Sequence, residues 1–269
     1  MDLLIKLEND FLPRHTFDSG QCFRWNEEDD GSFTGVVSGR AVNISYDGKF
    51  IKVHGAKEND REFFYDYLDI KRDYSAIKKR IAKEEIMKEA IAFGSGIRIL
   101  KQDFFETLLS FIISQRSSIP KIKGCVEKIS RAYGKEIFLD NKSYFSFPTP
   151  EELKDVSEND YLSFGVGYRA KYLKKAVEDV LSGKIDEKAI RKLSTKEARE
   201  TLLSIFGVGN KVADCVLLFG LSRFDSFPVD VWIKRAMDEL YGGQDGFALF
   251  GEDSGIAQQY LFYKMRYGR

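Results

Sequence analysis

Leu202–Cys215 reads LLSIFGVGNKVADC, and Asp230 follows in Pro228-Val229-Asp230-Val231. A periodic run ending at Phe206 meets Gly207-Val208-Gly209, and a second run, Asn210–Phe219, begins at once. This is the pattern of two helices joined by a tight reversal, because glycine takes backbone angles that side chains forbid. The second helix opens with N–H groups that have no intrahelical acceptor, at the positive end of the helix dipole. Such a start is a good seat for a phosphate. Gly207, Val208 and Gly209 are therefore candidate nucleic-acid contacts, and Lys211 lies in the first turn beside them.

Lys211 has a plain alternative as a solvated or phosphate-pairing lysine. A lysine that acts as a nucleophile has to shed its proton. A helix dipole contributes only about 0.3–2 kcal/mol toward that, so desolvation has to supply the rest. Asp230 precedes Val231-Trp232-Ile233-Lys234-Arg235 and reads as a helix N-cap. The cap role is compatible with a second one, since a capped carboxylate is fixed in place and can stabilise positive charge developing on a sugar.

The rest of the chain sets the bounds. Its 269 residues are 43% hydrophobic with 22 Phe and 13 Tyr, enough for a large core. Lys+Arg and Asp+Glu are both 42, which excludes a strongly basic nucleic-acid coat but leaves room for a local basic face. Cys22, Cys125 and Cys215 are widely separated, and His15 and His54 are the two histidines. No disulfide framework, metal site or Ser/His/Asp triad is expected from them. The opening MDLLIKLEND carries acids and lacks a signal-type apolar stretch, and no apolar run has the length of a membrane span. No membrane partner is expected.

Ser32–Gly55 alternates as strands do and is cut by Asp30-Gly31, Ser38-Gly39 and Asp47-Gly48, the signal of successive hairpins. From Glu58 the period becomes helical, through Phe63, Phe64, Tyr67 and Leu68. Phe93-Gly94-Ser95-Gly96 breaks the pattern, and helical segments follow to the end, Thr149–Val156 among them. The expected fold is α+β: an N-terminal antiparallel β-sheet domain with helices, residues 1–95, then an all-α helix–hairpin–helix domain, residues 96–269.

Further segments carry a resemblance. They are Ser19-Gly20-Gln21-Cys22-Phe23-Arg24-Trp25, Gly96–Asp103 (GIRILKQD), Gly165–Tyr172 (GVGYRAKY), and Gly255-Ile256-Ala257-Gln258 with Leu261-Phe262. With GVGNKVADC and PVD, in this order over most of the chain, they resemble the 8-oxoguanine DNA glycosylase family. That family forms a lysine-bearing, bifunctional branch of the helix–hairpin–helix DNA glycosylases.

The resemblance implies that Lys211 attacks C1′ of a damaged nucleotide, expelling the base and forming a Schiff base, with β-elimination of the 3′ phosphate after it. It implies that Asp230 stabilises the oxocarbenium-like charge, and that Gly20, Cys215, Gln258 and Phe262 form the base pocket. Gln258 and Phe262 share a helix face, so an amide can read a base edge while the ring stacks on it. The Gly20 carbonyl would accept from the N7–H of 8-oxoguanine and repel the N7 acceptor of guanine. Tyr168 and Arg169 would enter the stack and face the orphaned base, after extrusion of the lesion. The implied partner is double-stranded DNA containing oxidised guanine. A monomer without cofactor or metal is expected, in the cytoplasm and nucleoid, or in the nucleus of a eukaryote.

The chain departs from the family at Arg116, where an asparagine that reads the opposite cytosine is expected, and at Lys121, where an arginine is. Both remain candidate DNA contacts, but Arg and Asn present different donor and acceptor sets, so a weak preference for cytosine is expected. Two other readings stay open: a related glycosylase for another damaged purine, against which Lys211 argues, and a non-enzymatic helix–hairpin–helix DNA-binding module. The latter explains Gly207 and Gly209 but not the spacing of Lys211, Asp230, Gln258 and Phe262.

Overall fold

The computed structural model describes residues 2–7 and 10–268; Met1, Glu8, Asn9 and Arg269 lie outside them. Five strands form one antiparallel sheet: β1 (Leu3–Lys6), β2 (Trp25–Glu27), β3 (Phe33–Val37), β4 (Arg40–Tyr46) and β5 (Phe50–His54), in the order β1-β5-β4-β3-β2. The turn residues of the sequence make the hairpins. Ser38 (φ 45°) and Gly39 (φ 74°) form a two-residue turn with both φ angles positive, whose twist matches that of the flanking strands. Asp47 closes the next turn by accepting from the Lys49 and Phe50 N–H groups at 2.8 and 2.7 Å. Leu3, Ile5, Val42, Ile44, Ile51 and Val53 are turned to one side and fully buried with Phe17 and Trp25.

The remainder is helical except for one hairpin at residues 136–145, so the α+β reading holds while the second part is not all-α. The helix Phe104–Ser114 is its central rod. Asp103 caps it by accepting from the Glu106 N–H at 2.9 Å. Leu108, Leu109 and Ile112 are fully buried, each worth about 1.5–3 kcal/mol of transfer from water. The helices Tyr74–Ile81 and Glu85–Phe93 belong to the same core, with Glu85–Phe93 lying along the C-terminal helix Ser254–Tyr267.

The structure departs from the sequence reading in places. Thr149–Val156 holds only a 3-10 turn, Glu151–Leu153, between Pro150 and the next capped helix. A hairpin that periodicity did not reveal, β6 (Glu136–Leu139) and β7 (Lys142–Phe145), leaves the helical part and leans on the sheet. Leu139 packs on Val36 and Ala41. Asp140 in its turn meets His54 Nε2 at 2.9 Å, while Asp2 meets Nδ1 at 2.7 Å.

Two buried side chains also join the parts. Arg98, 1% exposed, donates to the carbonyls of Asp10, Leu68, Asp69, Ile70 and Arg72. Gln21, fully buried, donates to the Thr16 and Arg98 carbonyls at 2.8 Å each and accepts from the Leu100 N–H at 2.8 Å. These bonds fix the loop before β2 against the entry to the central rod.

Candidate active site

A cavity of about 640 Å³ opens where the central rod ends. Four separate pieces of chain face it: the Ser19–Gly20 loop, the turn after Ser114, the hairpin helix with the Pro228–Trp232 segment behind it, and the C-terminal helix. The sequence candidates Gly20, Arg116, Gly209, Lys211, Cys215, Asp230, Gln258 and Phe262 all line this space. Lys121, Tyr168, Arg169, Gly207 and Val208 do not.

The hairpin forms as the glycines require. Gly207 has φ +85°, and a Cβ there would lie 2.2 Å from the Tyr172 ring, so both backbone angle and space demand glycine. Its carbonyl accepts from Gln115 Nε2 at 3.0 Å. Gly209 caps the helix Asn210–Cys215 with no side-chain bond, which leaves the first-turn N–H groups for an outside acceptor. The helix then widens into a π-turn, Val216–Gly220, closed by the Leu221 N–H on the Val216 carbonyl at 3.0 Å. The uniform helix expected to Phe219 thus ends early. Phe219 lies nearly parallel to Phe111, ring centroids 5.5 Å apart, at the floor of the cavity.

Lys211 points inward. Its Nζ donates to Ser114 Oγ at 3.2 Å and sits 4.7 Å over the Phe111 ring. Asp230 is an N-cap: Oδ1 accepts from the Trp232 and Ile233 N–H groups at 3.0 and 2.9 Å. Both bonds fall on Oδ1, so Oδ2 takes no part in the cap. Among the described residues Asp230 is the one carboxylate of the lining. Cys215 is 2% exposed, and burial pushes its thiol up to about 11. It is a small neutral wall, unsuited as a thiolate nucleophile. The cavity therefore joins an amine, one fixed carboxylate and apolar walls, the parts of amine-nucleophile chemistry on a flat substrate.

The Phe262 ring lies against the Gly20 backbone at the cavity wall. Gly20 has φ +76°, and a Cβ on it would lie 2.9 Å from Phe262 Cε1. Gly20→Ala is expected to push the ring aside and to lose about 1–2 kcal/mol from the left-handed backbone angle alone. The check is chemical denaturation; a variant as stable as the parent would show that backbone and ring both relax freely.

The remaining candidates lie on the rim. Tyr168 is half exposed, and Lys121 and Arg116 are exposed. Arg116 has φ +48°, a left-handed backbone angle in the turn after the central rod. Arg169 is placed differently from the expectation: it is 5% exposed and holds that turn from inside, donating to the Val166 carbonyl at 2.8 Å and to those of Gln115 and Arg116. Its guanidinium stacks over Tyr168 at 4.5 Å. Sequence reasoning missed Ser114, Phe111 and Gln259. Nothing local marks them, since a buried Ser or Phe on a helix reads as core.

A helix–hairpin–helix with an inward lysine and an aspartate cap in one cavity is the arrangement of a class of DNA base-excision proteins, and the comparisons agree. Residues 109–246 match the HhH-GPD superfamily of base excision DNA repair proteins, and residues 3–108 match the 8-oxoguanine DNA glycosylase N-terminal domain. The chain is 34% identical over 236 residues to a probable N-glycosylase/DNA lyase of Methanothermobacter thermautotrophicus, covering 77% of this chain and 71% of that one. Its fold matches MBOgg1 in complex with a low-affinity DNA ligand, at TM-score 0.95 and 45% identity over 98% of this chain and 95% of that one. It also matches the Clostridium acetobutylicum 8-oxoguanine glycosylase/lyase in complex with double-stranded DNA containing cytosine opposite 8-oxoguanine. That match has a TM-score of 0.94 and 37% identity over 99% and 98% of the two chains. The chain belongs to the 8-oxoguanine DNA glycosylase family of the HhH-GPD superfamily.

Proposed function

We propose that this protein is a bifunctional DNA repair enzyme that excises 8-oxoguanine from duplex DNA and then cleaves the strand at the emptied sugar. The observation that carries the reading is one cavity lined by Lys211, Asp230, Gly20, Gln258 and Phe262. The lesion leaves the stack and enters the cavity, with Phe262 on its face and Gln258 at its edge. The Lys211 amine attacks C1′ as the C1′–N9 bond breaks, and the base departs with the electron pair of that bond. Oδ2 of Asp230 stabilises the positive charge on the sugar. The amine's proton passes to the departing base and the ring opens to a Schiff base. A C2′ proton then passes to water, the freed pair forms a C2′–C3′ double bond, and the 3′ phosphate leaves with the electrons of the C3′–O bond. The Gly20 carbonyl accepts from the N7–H that distinguishes the lesion from guanine.

In this reading the Gly209 N–H and those of the helix turn after it hold a phosphate, Val208 keeping its own N–H on the Ile205 carbonyl at 3.0 Å, while Tyr168, Arg116 and Lys121 meet the strand at the rim. Arg169 contributes by holding the Gln115–Arg116 turn, and reaches DNA only if that turn opens. Residues 1–95 supply Gly20, and residues 96–269 supply the rest. The protein works as a monomer on chromosomal DNA, in the nucleoid or, in a eukaryote, the nucleus.

The test is release of 8-oxoguanine from duplexes carrying each of the four opposite bases, with borohydride present to trap the Schiff base. Base release with a covalent protein–DNA adduct is expected, with less than about tenfold spread among the four, since Arg116 offers donors only. No release from any duplex would sink the function; a cytosine preference of several hundredfold would sink the role given to Arg116.

A further inference from the structure

Gln258 and Gln259 both lie in the C-terminal helix, each 3% exposed, and both line the cavity. Their amides are bonded to each other: Gln259 Nε2 donates to Gln258 Oε1 at 2.9 Å. Gln259 Oε1 is fully buried and has no hydrogen-bond partner. A buried acceptor left without a donor is destabilising. The fold tolerates this at the wall of the cavity that holds Lys211 and Asp230.

We propose that Gln259 is a second base-reading residue, resting on the glycosylase reading above. The bond between the amides occupies one lone pair of the Gln258 carbonyl and leaves its NH₂ free to donate. Gln259 holds the matching acceptor, which a turn of its amide toward the base uncovers. The pair presents a donor beside an acceptor, the complement of a purine lactam edge, in which a C6 carbonyl adjoins an N1–H. Gln258 donates to the carbonyl and Gln259 accepts from the N–H. The lesion's edge then satisfies the orphaned Gln259 oxygen, and the two amides hold each other's rotation. Turning both amides together preserves their bond and again leaves one donor and one acceptor, so neither residue reads the edge alone.

The experiment compares wild type, Gln259→Leu and Gln259→Met in three measurements: single-turnover release of 8-oxoguanine, strand cleavage at a preformed abasic site, and thermal midpoint. Leucine and methionine fill the volume and remove the unpaired Gln259 acceptor, but they also take the donor from Gln258 Oε1, so the midpoint is expected to change little. Base release is expected to slow about tenfold or more. Cleavage of the abasic site, which has no base to read, is expected to stay within twofold. Base release within twofold of wild type in both variants overturns the proposal. A parallel fall of base release and abasic-site cleavage also overturns it, since that marks a merely structural residue. If wild-type protein itself releases no lesion, the function falls and this role with it; if wild type is active and the variants match it, only this role falls.

Discussion

Lys211→Gln is expected to abolish the borohydride-trapped adduct and to slow release of 8-oxoguanine by at least about 10³-fold, because an amide cannot serve as the attacking amine. Strand cleavage at a preformed abasic site is lost with it, since that step also runs through the amine. Glutamine keeps most of the length, can still bond Ser114 Oγ, and can lie against the Phe111 ring as Nζ does now at 4.7 Å. The thermal midpoint should therefore hardly move, and a loss of activity will report chemistry rather than folding. Undiminished base release in this variant would remove the lysine from the mechanism, leaving Asp230 as the remaining polar catalyst among the described lining residues.

The second large effect is expected at Asp230. Asparagine is as good an N-cap as aspartate. Asp230→Asn should keep the bonds from the Trp232 and Ile233 N–H groups, now 3.0 and 2.9 Å, and stay within about 0.5 kcal/mol of the parent in stability. What it removes is the negative charge at the sugar. Base release is expected to fall about 10²- to 10³-fold, the range for losing a preorganised charged group at a developing charge. Asp230→Ala should show the same kinetic loss and in addition about 1 kcal/mol of instability from the missing cap. The pair separates the two roles the sequence left side by side. If the Asn variant is fully active, Asp230 is a cap and nothing more.

These experiments touch the part of the protein that was easiest to read. Gly207, Gly209, Lys211 and Asp230 announce themselves locally. A glycine pair between two periodic runs demands a tight reversal, and an aspartate before a periodic run demands a cap, whatever the rest of the chain does. The strand turns at Ser38-Gly39 and Asp47-Gly48 were legible for the same reason: each is decided by backbone angles and side-chain bonds within a few residues. Gly20, Cys215, Gln258 and Phe262 entered only through resemblance, and the cavity brings them together.

The sequence by itself determined most of the elements with their caps and turns, and it marked Lys211 as the candidate nucleophile and Asp230 as its candidate partner carboxylate. Only the tertiary structure decided which distant groups meet. Lys211 reaches Ser114 across a separation of 97 residues. The Gly20 backbone lies against the Phe262 ring because Gln21 is pinned to Arg98 and Leu100. Arg169, which its neighbours on the chain mark as a surface cation, is turned inward and donates to the Gln115 and Arg116 carbonyls of the turn beneath it and to the Val166 carbonyl of its own segment. Gln259 reads as one more polar residue of a C-terminal helix until packing removes its water. The physical reason is the same in each case. Local angles and caps are satisfied within a turn or two of chain, whereas the desolvation of a polar atom, and hence its availability to a ligand, depends on everything packed around it.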